Sequence, residues 1–282
     1  MKILSFGEII WDVFEDKKEI GGAPYNFAAH CSRLGAESFL VSCVGDDENG
    51  RQAITEARNA GIKCDYISVD RKRKTGVCNI VLENGKPKYF LESNTAYDNI
   101  PDSVIYGSFD ALYMGTLALR SPQSRRSFEK ILKYTDKKEV FFDVNFRSDL
   151  YTRELVDRLM RETTILKVSD EEIGFFGRRD PLHTVLDISA KYPKLKYICL
   201  TLGRDGAFVY DCRKRQMLCS EKPKGEVVST VGAGDSFSAC FLVNLLSGKD
   251  IGECLDRAVI LSDFVVQNLG AVPNYDPQEL FK

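Results

Sequence analysis

One glycine-rich turn carries residues whose types and spacing could do chemistry. Residues 228–241 read Val-Ser-Thr-Val-Gly-Ala-Gly-Asp-Ser-Phe-Ser-Ala-Cys-Phe, and the apolar spacing predicts a helix that begins at Asp235. The first N–H groups of a helix have no internal partner and carry the positive end of its dipole, and glycines let an anion approach them. Gly232, Ala233 and Gly234 could therefore bind a phosphate beside an acid. An Asp at this place is equally a common helix N-cap, so the turn alone leaves both interpretations open.

A second glycine turn lies near the N-terminus. Gly21-Gly22-Ala23-Pro24 precedes an expected helix over residues 25–34, which places Asn26 on its first turn. Before it, a short strand over residues 2–6 continues into an extended segment that contains Asp12. A glycine turn therefore opens this helix too.

Polar residues also follow most of the predicted strands. In open parallel sheets, ligands bind beyond the carboxyl ends of the strands. Each polar group could be an ordinary helix cap or loop, but their coincidence at one edge favours a binding site. The groups are Glu8 and Asp12, residues 143–147, residues 169–172, residues 201–207 and the turn at 232–234.

These residues need a parallel sheet to bring them together, and the chain alternates between strands and helices as such a sheet requires. Further strands are predicted at 38–44, 111–114, 139–144, 165–168, 197–202 and 207–210, and helices up to Gly61 and at 122–135, 151–161, 183–191, 235–247 and 251–268. A hairpin over residues 76–92, turning at Asn84-Gly85, interrupts the alternation. We expect one domain over residues 1–282, with a small β lid formed by about 9–20 and 75–100.

Composition narrows the function. The formal charge of −2 and the pI near 5.9 predict no nucleic acid or anionic membrane as partner. Nine cysteines without a CxxC pair indicate reduced thiols in a cytoplasmic protein rather than zinc or disulfides. No apolar run is long enough for a membrane span, and the N-terminal segment is too short and too acidic for a signal peptide.

Several familiar catalytic motifs are missing from the sequence. The phosphate loop GxxxxGK[ST], the dinucleotide fingerprint GxGxxG after the first strand and the GxSxG elbow are absent, which disfavours P-loop NTPases, Rossmann-type oxidoreductases and α/β-hydrolases. The only histidines, His30 and His183, lie inside or near predicted helices and are expected to be structural.

The motifs together resemble the ribokinase-like (PfkB) carbohydrate kinases, in order and over nearly the whole chain. The first segment looks most like the fructokinase branch. The matching segments are Gly21-Gly22-Ala23-Pro24-Tyr25-Asn26, Val44-Gly45-Asp46-Asp47, Asp143-Val144-Asn145-Phe146-Arg147, Thr201-Leu202-Gly203 and Val231-Gly232-Ala233-Gly234-Asp235-Ser236-Phe237.

The resemblance implies a three-layer α/β/α domain with a small β-sheet lid that transfers the γ-phosphoryl group of ATP, with Mg²⁺, to a sugar hydroxyl. Asp235 then matches the catalytic base, and we expect nearby N–H donors to favour its ionised form. The other matches are Gly232, Ala233 and Gly234 to the anion hole; Asp12, Gly22, Asn26 and Arg147 to sugar-binding positions; Thr201, Gly203 and Gly206 to the nucleotide loop; and Glu172 to an acid that organises magnesium through water.

Two residues depart from the family pattern. Ser169 stands where its magnesium motif usually has Asn, and Ser229 stands where many members have an Asp that helps to hold a monovalent cation. Because a hydroxyl lacks the charge that compensates K⁺, weak or absent potassium activation is expected.

Fructose is the first expected substrate. The alternatives are 2-keto-3-deoxygluconate, or another sugar or nucleoside, and more remotely a catalytically silent sugar- or nucleotide-binding regulator. A homodimer that pairs two lids is expected, because the lid sheet would otherwise leave open edges.

Overall fold

A nine-stranded sheet forms the centre of the molecule. The computed structural model describes residues 1–15, 17–83, 86–147, 150–177 and 180–282. From β11 across to β5 the strands pair in parallel, whereas β12 and β13 are antiparallel additions at one edge. The spatial order is β13 (Gln216–Cys219), β12 (Ala207–Asp211), β11 (Tyr197–Thr201), β10 (Ile165–Ser169), β9 (Asp136–Asp143), β8 (Ser108–Met114), β1 (Lys2–Phe6), β4 (Glu37–Gly45) and β5 (Ile67–Asp70).

Helices cover both faces of this sheet, because its central strands are apolar on both sides. Successive residues of β1 show the two cores: Leu4 packs into one and Ile3 into the other. The first core contains α3 (Pro122–Tyr134), α4 (Arg153–Met160) and α6 (Pro181–Lys191). The opposite face packs against α1 (Ala23–Arg33), α2 (Glu48–Asn59), α7 (Ala233–Leu246) and α8 (Ile251–Val266). Two one-turn helices are α5 (Asp170–Ile173) and α9 (Pro277–Leu280).

A second, four-stranded sheet stands beside the carboxyl ends of the central strands; we call it the small sheet. Its order is β3 (Lys18–Gly21), β2 (Ile10–Val13), β6 (Gly76–Glu83) and β7 (Lys86–Leu91). The β2–β6 pair is parallel and the two outer pairs are antiparallel. The predicted Asn84-Gly85 turn between β6 and β7 lies outside the described residues.

The two helices that follow the glycine turns begin earlier than the sequence predicted. The first, α1, begins at Ala23 rather than Tyr25, and α7 begins at Ala233 rather than Asp235. Their N-cap residues are glycines, Gly22 with φ of 105° and Gly232 with φ of 81°, values that residues with a side chain rarely adopt. Asp235 is therefore the third residue of α7, and the N-cap interpretation is wrong.

All nine cysteines lie in the described part of the chain and are free thiols. Within the same ranges, no helix combines the length and the apolar character that crossing a bilayer requires.

Candidate active site

A cleft of about 300 Å³ opens between the small sheet, the ends of β9 and β10, and the start of α7. Ile10, Cys78 and Leu91 form its wall on the small-sheet side. The predicted site residues that line it are Asp12, Gly22, Asn26, Arg147, Glu172, Gly232, Gly234 and Asp235. The fold thus brings most of the predicted sugar and phosphate groups to one place.

The start of α7 presents unpaired backbone donors to this cleft. The N–H groups of Gly234 and Asp235 have no backbone partner among the described residues, as expected for the first turn of a helix. The N–H of Ala233 donates to the carbonyl of Thr230 at 3.3 Å, and Ala233 does not line the cleft. The unpaired backbone donors at the cleft are therefore those of Gly234 and Asp235 rather than that of Ala233.

Asp235 is the buried acid at the base of the cleft. Its Oδ2 accepts a hydrogen bond of 2.7 Å from Nδ2 of Asn26, which joins the two glycine turns because α1 packs against α7. Its Oδ1 has no hydrogen-bond partner in the part of the chain that is described. This oxygen remains available to accept a proton from a ligand.

The pKa of Asp235 differs from the sequence expectation. Burial raises this pKa above its ordinary value, although the hydrogen bond from Asn26 and the charges of Arg147 and Lys167 oppose the rise. The expectation that N–H donors would favour the ionised form is wrong for the unliganded site, because loss of hydration outweighs them. A carboxylate with a raised pKa is a better proton acceptor.

Asn26 carries a second unused oxygen. Its Oδ1 is buried and has no hydrogen-bond partner within the described ranges. Gly22, four residues before Asn26, is the N-cap of the same helix. A Cβ at Gly22 would lie 2.6 Å from the carbonyl oxygen of Glu8, so only glycine fits at this position. Because buried polar atoms are normally paired, Asn26 Oδ1 indicates the position of a ligand donor.

Two further carboxyl groups line the cleft together with Arg147, in the part predicted to bind sugar. Burial raises the pKa of Glu8 to about 7 and that of Asp12 to about 6, while the charge of Arg147 lowers both. The thiol of Cys78, paired with Asp12 across β2 and β6, also hydrogen-bonds to the Asp12 carboxylate. The charge of Arg147 acts on Asp235 as well, whose pKa it also lowers.

Glu172 is held by protein donors. Its Oε2 accepts hydrogen bonds of 2.9 Å from both N and Oγ of Ser169, and its Oε1 accepts one of 2.9 Å from the N–H of Phe146. Ser169, which replaces the usual Asn, therefore forms a capping box with Glu172 at the start of α5. Glu172 fixes the loop after β9, and among the described residues no group of three potential ligands could hold a metal by protein atoms alone.

The predicted nucleotide residues lie outside the cleft. Thr201 ends β11 and pairs in register with Ser169 at the end of β10, so the loop that follows it extends the same sheet edge. Gly203 and Gly206 have φ of 55° and 86° in a tight turn, which the 2.8 Å bond from Leu202 N to Gly206 O closes. Of the three residues, Thr201 is next to the cleft, because its strand partner Ser169 lines it.

Sequence reasoning missed Lys167, which lines the cleft from β10. Its Nζ lies 3.1 Å from Oδ1 of Asp143, and the pair is almost completely buried. A signal was present: Lys167 interrupts the apolar run Ile165-Leu166-Lys167-Val168, and a lone lysine in a buried strand requires a partner.

Neither histidine lines the cleft. His30 lies in the core of α1, with Nδ1 2.9 Å from the hydroxyl of Tyr275 and Nε2 3.0 Å from the carbonyl of Ala271. Burial lowers the pKa of His30 to about 4, so the ring is neutral. His183 lies next to Asp180 at the exposed start of α6.

Comparison with known proteins agrees with this arrangement. Residues 2–278 match the pfkB family carbohydrate kinase, so the chain belongs to that family. It is a phosphotransferase that acts on a sugar hydroxyl, and its fold is the three-layer ribokinase-like one.

Individual relatives differ in substrate. The chain is 27% identical to a fructokinase of Solanum tuberosum, covering 89% of this chain and 83% of the relative. It is 26% identical to a ribokinase of Bacillus subtilis, covering 89% and 82%. Aminoimidazole riboside kinase from Salmonella enterica, solved with its riboside and an ATP analogue, superposes over the whole of both chains with a TM-score of 0.86 at 21% identity. Other neighbours were solved with ATP and with Mg²⁺.

Proposed function

We propose that this protein is an ATP-dependent fructokinase. The observation that carries the mechanism is Asp235: a buried carboxyl with one free oxygen, at a helix start with two unpaired N–H groups. Asp235 is the catalytic base, and the turn at 232–234 is the anion hole. Phosphoryl transfer requires little more than such positioning and charge compensation.

The step conserves atoms and charge. The sugar hydroxyl oxygen forms a bond to the γ-phosphorus while the bond from that phosphorus to the β,γ-bridging oxygen breaks, and its electron pair leaves with ADP. The hydroxyl proton passes to Oδ1 of Asp235. The raised pKa supports this role, because a buried carboxylate accepts the proton more readily as the oxygen attacks.

The sugar end of the cleft suits a neutral, hydroxyl-rich ligand. Asp12 and Oδ1 of Asn26 accept hydrogen bonds from hydroxyl groups, and Gly22 lets the sugar approach the backbone. Arg147 already faces the carboxyls of Glu8, Asp12 and Asp235, so little positive charge is left for a carboxylate or phosphate on the sugar. This balance favours fructose over 2-keto-3-deoxygluconate, although a nucleoside would also be neutral.

ATP is proposed to bind at the end of the cleft opposite the sugar. Thr201, Gly203 and Gly206 are proposed to contact ATP, since their loop continues the edge of the sheet from Ser169. Mg²⁺ suits this site as an ion that arrives on the phosphates, because it favours phosphate and water oxygens over a protein cage. Glu172, whose oxygens already accept protein hydrogen bonds, would hold it through water, and the ion would neutralise phosphate charge.

We further propose that the whole chain acts as one kinase domain with the small sheet as its lid. The lid carries Asp12 and would exclude water from the transfer, which limits ATP hydrolysis. Free thiols suit the cytoplasm, where ATP is also available. The exposed edges of the lid support a homodimer.

A coupled ADP-release assay over fructose, ribose, 2-keto-3-deoxygluconate and a purine nucleoside tests the substrate. We expect the highest kcat/KM with fructose. A higher kcat/KM with any of the other three would contradict the proposal and transfer the assignment to that compound. The variant Arg147→Gln distinguishes 2-keto-3-deoxygluconate, a sugar acid, from the neutral compounds. If the natural substrate were a sugar acid, its affinity should fall more in this variant than the affinity for fructose.

A further inference from the structure

Lys167 is a buried cation that the proposed proton transfer does not use. It lies on β10 among apolar neighbours, with its side chain 8% exposed, and its Nζ faces the cleft next to the start of α7. Burying an ammonium group costs free energy unless partners compensate its charge. The groups around Lys167 therefore indicate its function.

A relay of hydrogen bonds fixes the position of this ammonium. Nζ donates to Oδ1 of Asp143 at 3.1 Å, and Oδ2 of Asp143 accepts a bond of 3.0 Å from Oγ of Ser238 on α7. Both oxygens of Asp143 therefore have donors. Lys167 has three N–H groups, and Asp143 is its one hydrogen-bond partner within the described ranges, which leaves donors for a ligand.

The ammonium remains charged. Burial alone would lower the pKa of Lys167, but the charges of Asp143, Glu172 and Asp235 outweigh burial and raise it. Burial raises the pKa of Asp143 to about 6, so this carboxyl is also ionised at neutral pH. The pair carries no net charge, but of its two side chains only Lys167 lines the cleft, so the cleft meets the ammonium end of the pair.

The charge lies directly beside the anion-binding turn. A Cβ built on Gly234 would lie 2.9 Å from Nζ of Lys167, so the absence of a side chain at this position is what admits the lysine. Gly234 and Asp235, whose N–H groups have no backbone partner among the described residues, thus line the same cleft as the ammonium. Unpaired N–H groups at a helix start with a cation beside them suit a tetrahedral anion.

We propose that Lys167 is a catalytic residue that binds oxygens of the phosphoryl group during its transfer, and that Asp143 and Ser238 are positioning residues for it. This inference rests on the proposed kinase mechanism. The transferred group spreads negative charge over its three equatorial oxygens, and a preorganised cation stabilises that charge more in the transition state than in the ground state. Loss of one such donor costs about 10²–10³ in kcat.

The test uses three variants of the whole protein. Lys167→Met removes the ammonium but leaves Asp143 buried without a counter-charge, which could unfold the chain. The double variant Lys167→Met/Asp143→Asn removes both charges, and neutral replacement of a buried pair is often close to neutral in stability. The matched control is Lys196→Met, which breaks a different lysine–carboxylate pair, with Glu139, away from the cleft.

Two readouts separate catalysis from structure. We expect the double variant to lose about 10²–10³ in kcat and little in sugar binding, whereas Lys196→Met keeps the wild-type kcat. By calorimetry, wild type should bind a non-hydrolysable ATP analogue more tightly than ADP, and the double variant should lose this preference. A folded double variant with the wild-type kcat, or with the preference intact, would overturn the role of Lys167. Failure of wild type to use fructose would instead count against the proposed substrate.

Discussion

The chemistry of single residues in this cleft is set by how deeply each is buried and by what charge it faces. Glu8, Asp12 and Asp235 all have a raised pKa because burial removes hydration from their carboxylates. Arg147 and Lys167 supply the opposing charge. The acids of this site therefore bind a proton more readily than exposed carboxylates do, before any phosphate-containing ligand enters.

The buried carboxyl of Glu8 makes stability depend on pH. Its folded pKa of about 7 lies above the ordinary value of 4.5, so the native protein binds the extra proton and the free energy of unfolding falls as pH rises from 4.5 to 7. Over that window this one group should cost about 3 kcal/mol. Glu8→Gln should remove the loss, so that the variant gains stability relative to wild type from pH 5 to pH 8 in urea unfolding.

The control for this pH series is Glu37→Gln, which neutralises an exposed carboxyl at the start of β4. It should track wild type at every pH. If the difference between Glu8→Gln and wild type stays constant across the series, Glu8 is ionised in the folded protein and burial does not raise its pKa.

Ser229 leads to a prediction about potassium. In this structure Oγ of Ser229 accepts a bond of 3.3 Å from the N–H of Val231, and it brings no negative charge to the turn at 232–234. We expect turnover to be nearly the same in K⁺ and in tetramethylammonium salts at equal ionic strength. Ser229→Asp should create a dependence on K⁺; strong K⁺ activation of wild type would contradict the prediction.

For single residues, the sequence predicted which residues form the site better than it predicted their pKa values and their partners. Asp12, Asn26, Arg147 and Asp235 could be found because motifs place them after strands or glycine turns. The direction of the pKa shift of Asp235 could not be predicted, because it depends on burial by elements that are distant in sequence. Lys167 was missed for a related reason: its partner Asp143 comes from the neighbouring strand, and pairing across strands is invisible in a linear sequence.

At the scale of elements, two helix starts build the site. Gly22 and Gly232 each take a positive φ as the N-cap of α1 and α7, so both helices begin early. The start of α7 then brings the unpaired N–H groups of Gly234 and Asp235 to the cleft. The sequence placed both starts two residues late, since glycine and alanine in a turn give no apolar period. It also missed the edge strands β5 and β13, which are short and partly polar.

The turn before α7 can be tested with a pair of glycines. Gly232 (φ 81°) and Gly248 (φ 79°) share a left-handed conformation, but a Cβ would lie 2.5 Å from Ala271 O at Gly232 and would have open space at Gly248. Gly248→Ala should cost about 1–2 kcal/mol of stability and leave kcat unchanged. Gly232→Ala should cost about 1–3 kcal/mol more and lower kcat about 10²-fold, because the donors move.

Chemical denaturation and the ADP-release assay measure both effects. Equal stability losses in the two variants, with wild-type kcat in each, would show that the contact with Ala271 does not fix the anion turn.

At the scale of the whole molecule, the feature that bears on assembly is the small sheet, whose two outer strands each have an open edge in the described residues. Its outer strands β3 and β7 each pair with one neighbour in the described residues, and Phe90 on β7 is 54% exposed. We expect light scattering to give twice the chain mass of 31.8 kDa. Phe90→Glu should shift the mass toward that of the monomer, whereas Tyr106→Glu, at an exposed residue outside the small sheet, should not. A wild-type monomer would contradict the expected pairing of lids.

The architecture was the most predictable property of the chain. Alternating strands and helices, with apolar runs such as residues 38–44, require a parallel sheet covered on both faces. The position of the small sheet over the strand ends could not be deduced from β2 and β6 alone, since their parallel pairing joins segments far apart in sequence.

The central claim is that Asp235 takes the proton of the sugar hydroxyl, and kcat of Asp235→Asn tests it most directly. Asparagine keeps the shape and can still accept the bond from Asn26, and isothermal titration calorimetry measures whether the variant still binds sugar. We predict that the variant binds sugar but loses about 10²–10⁴ in kcat in the ADP-release assay. Sugar binding with an undiminished kcat would contradict the role of Asp235 as the base.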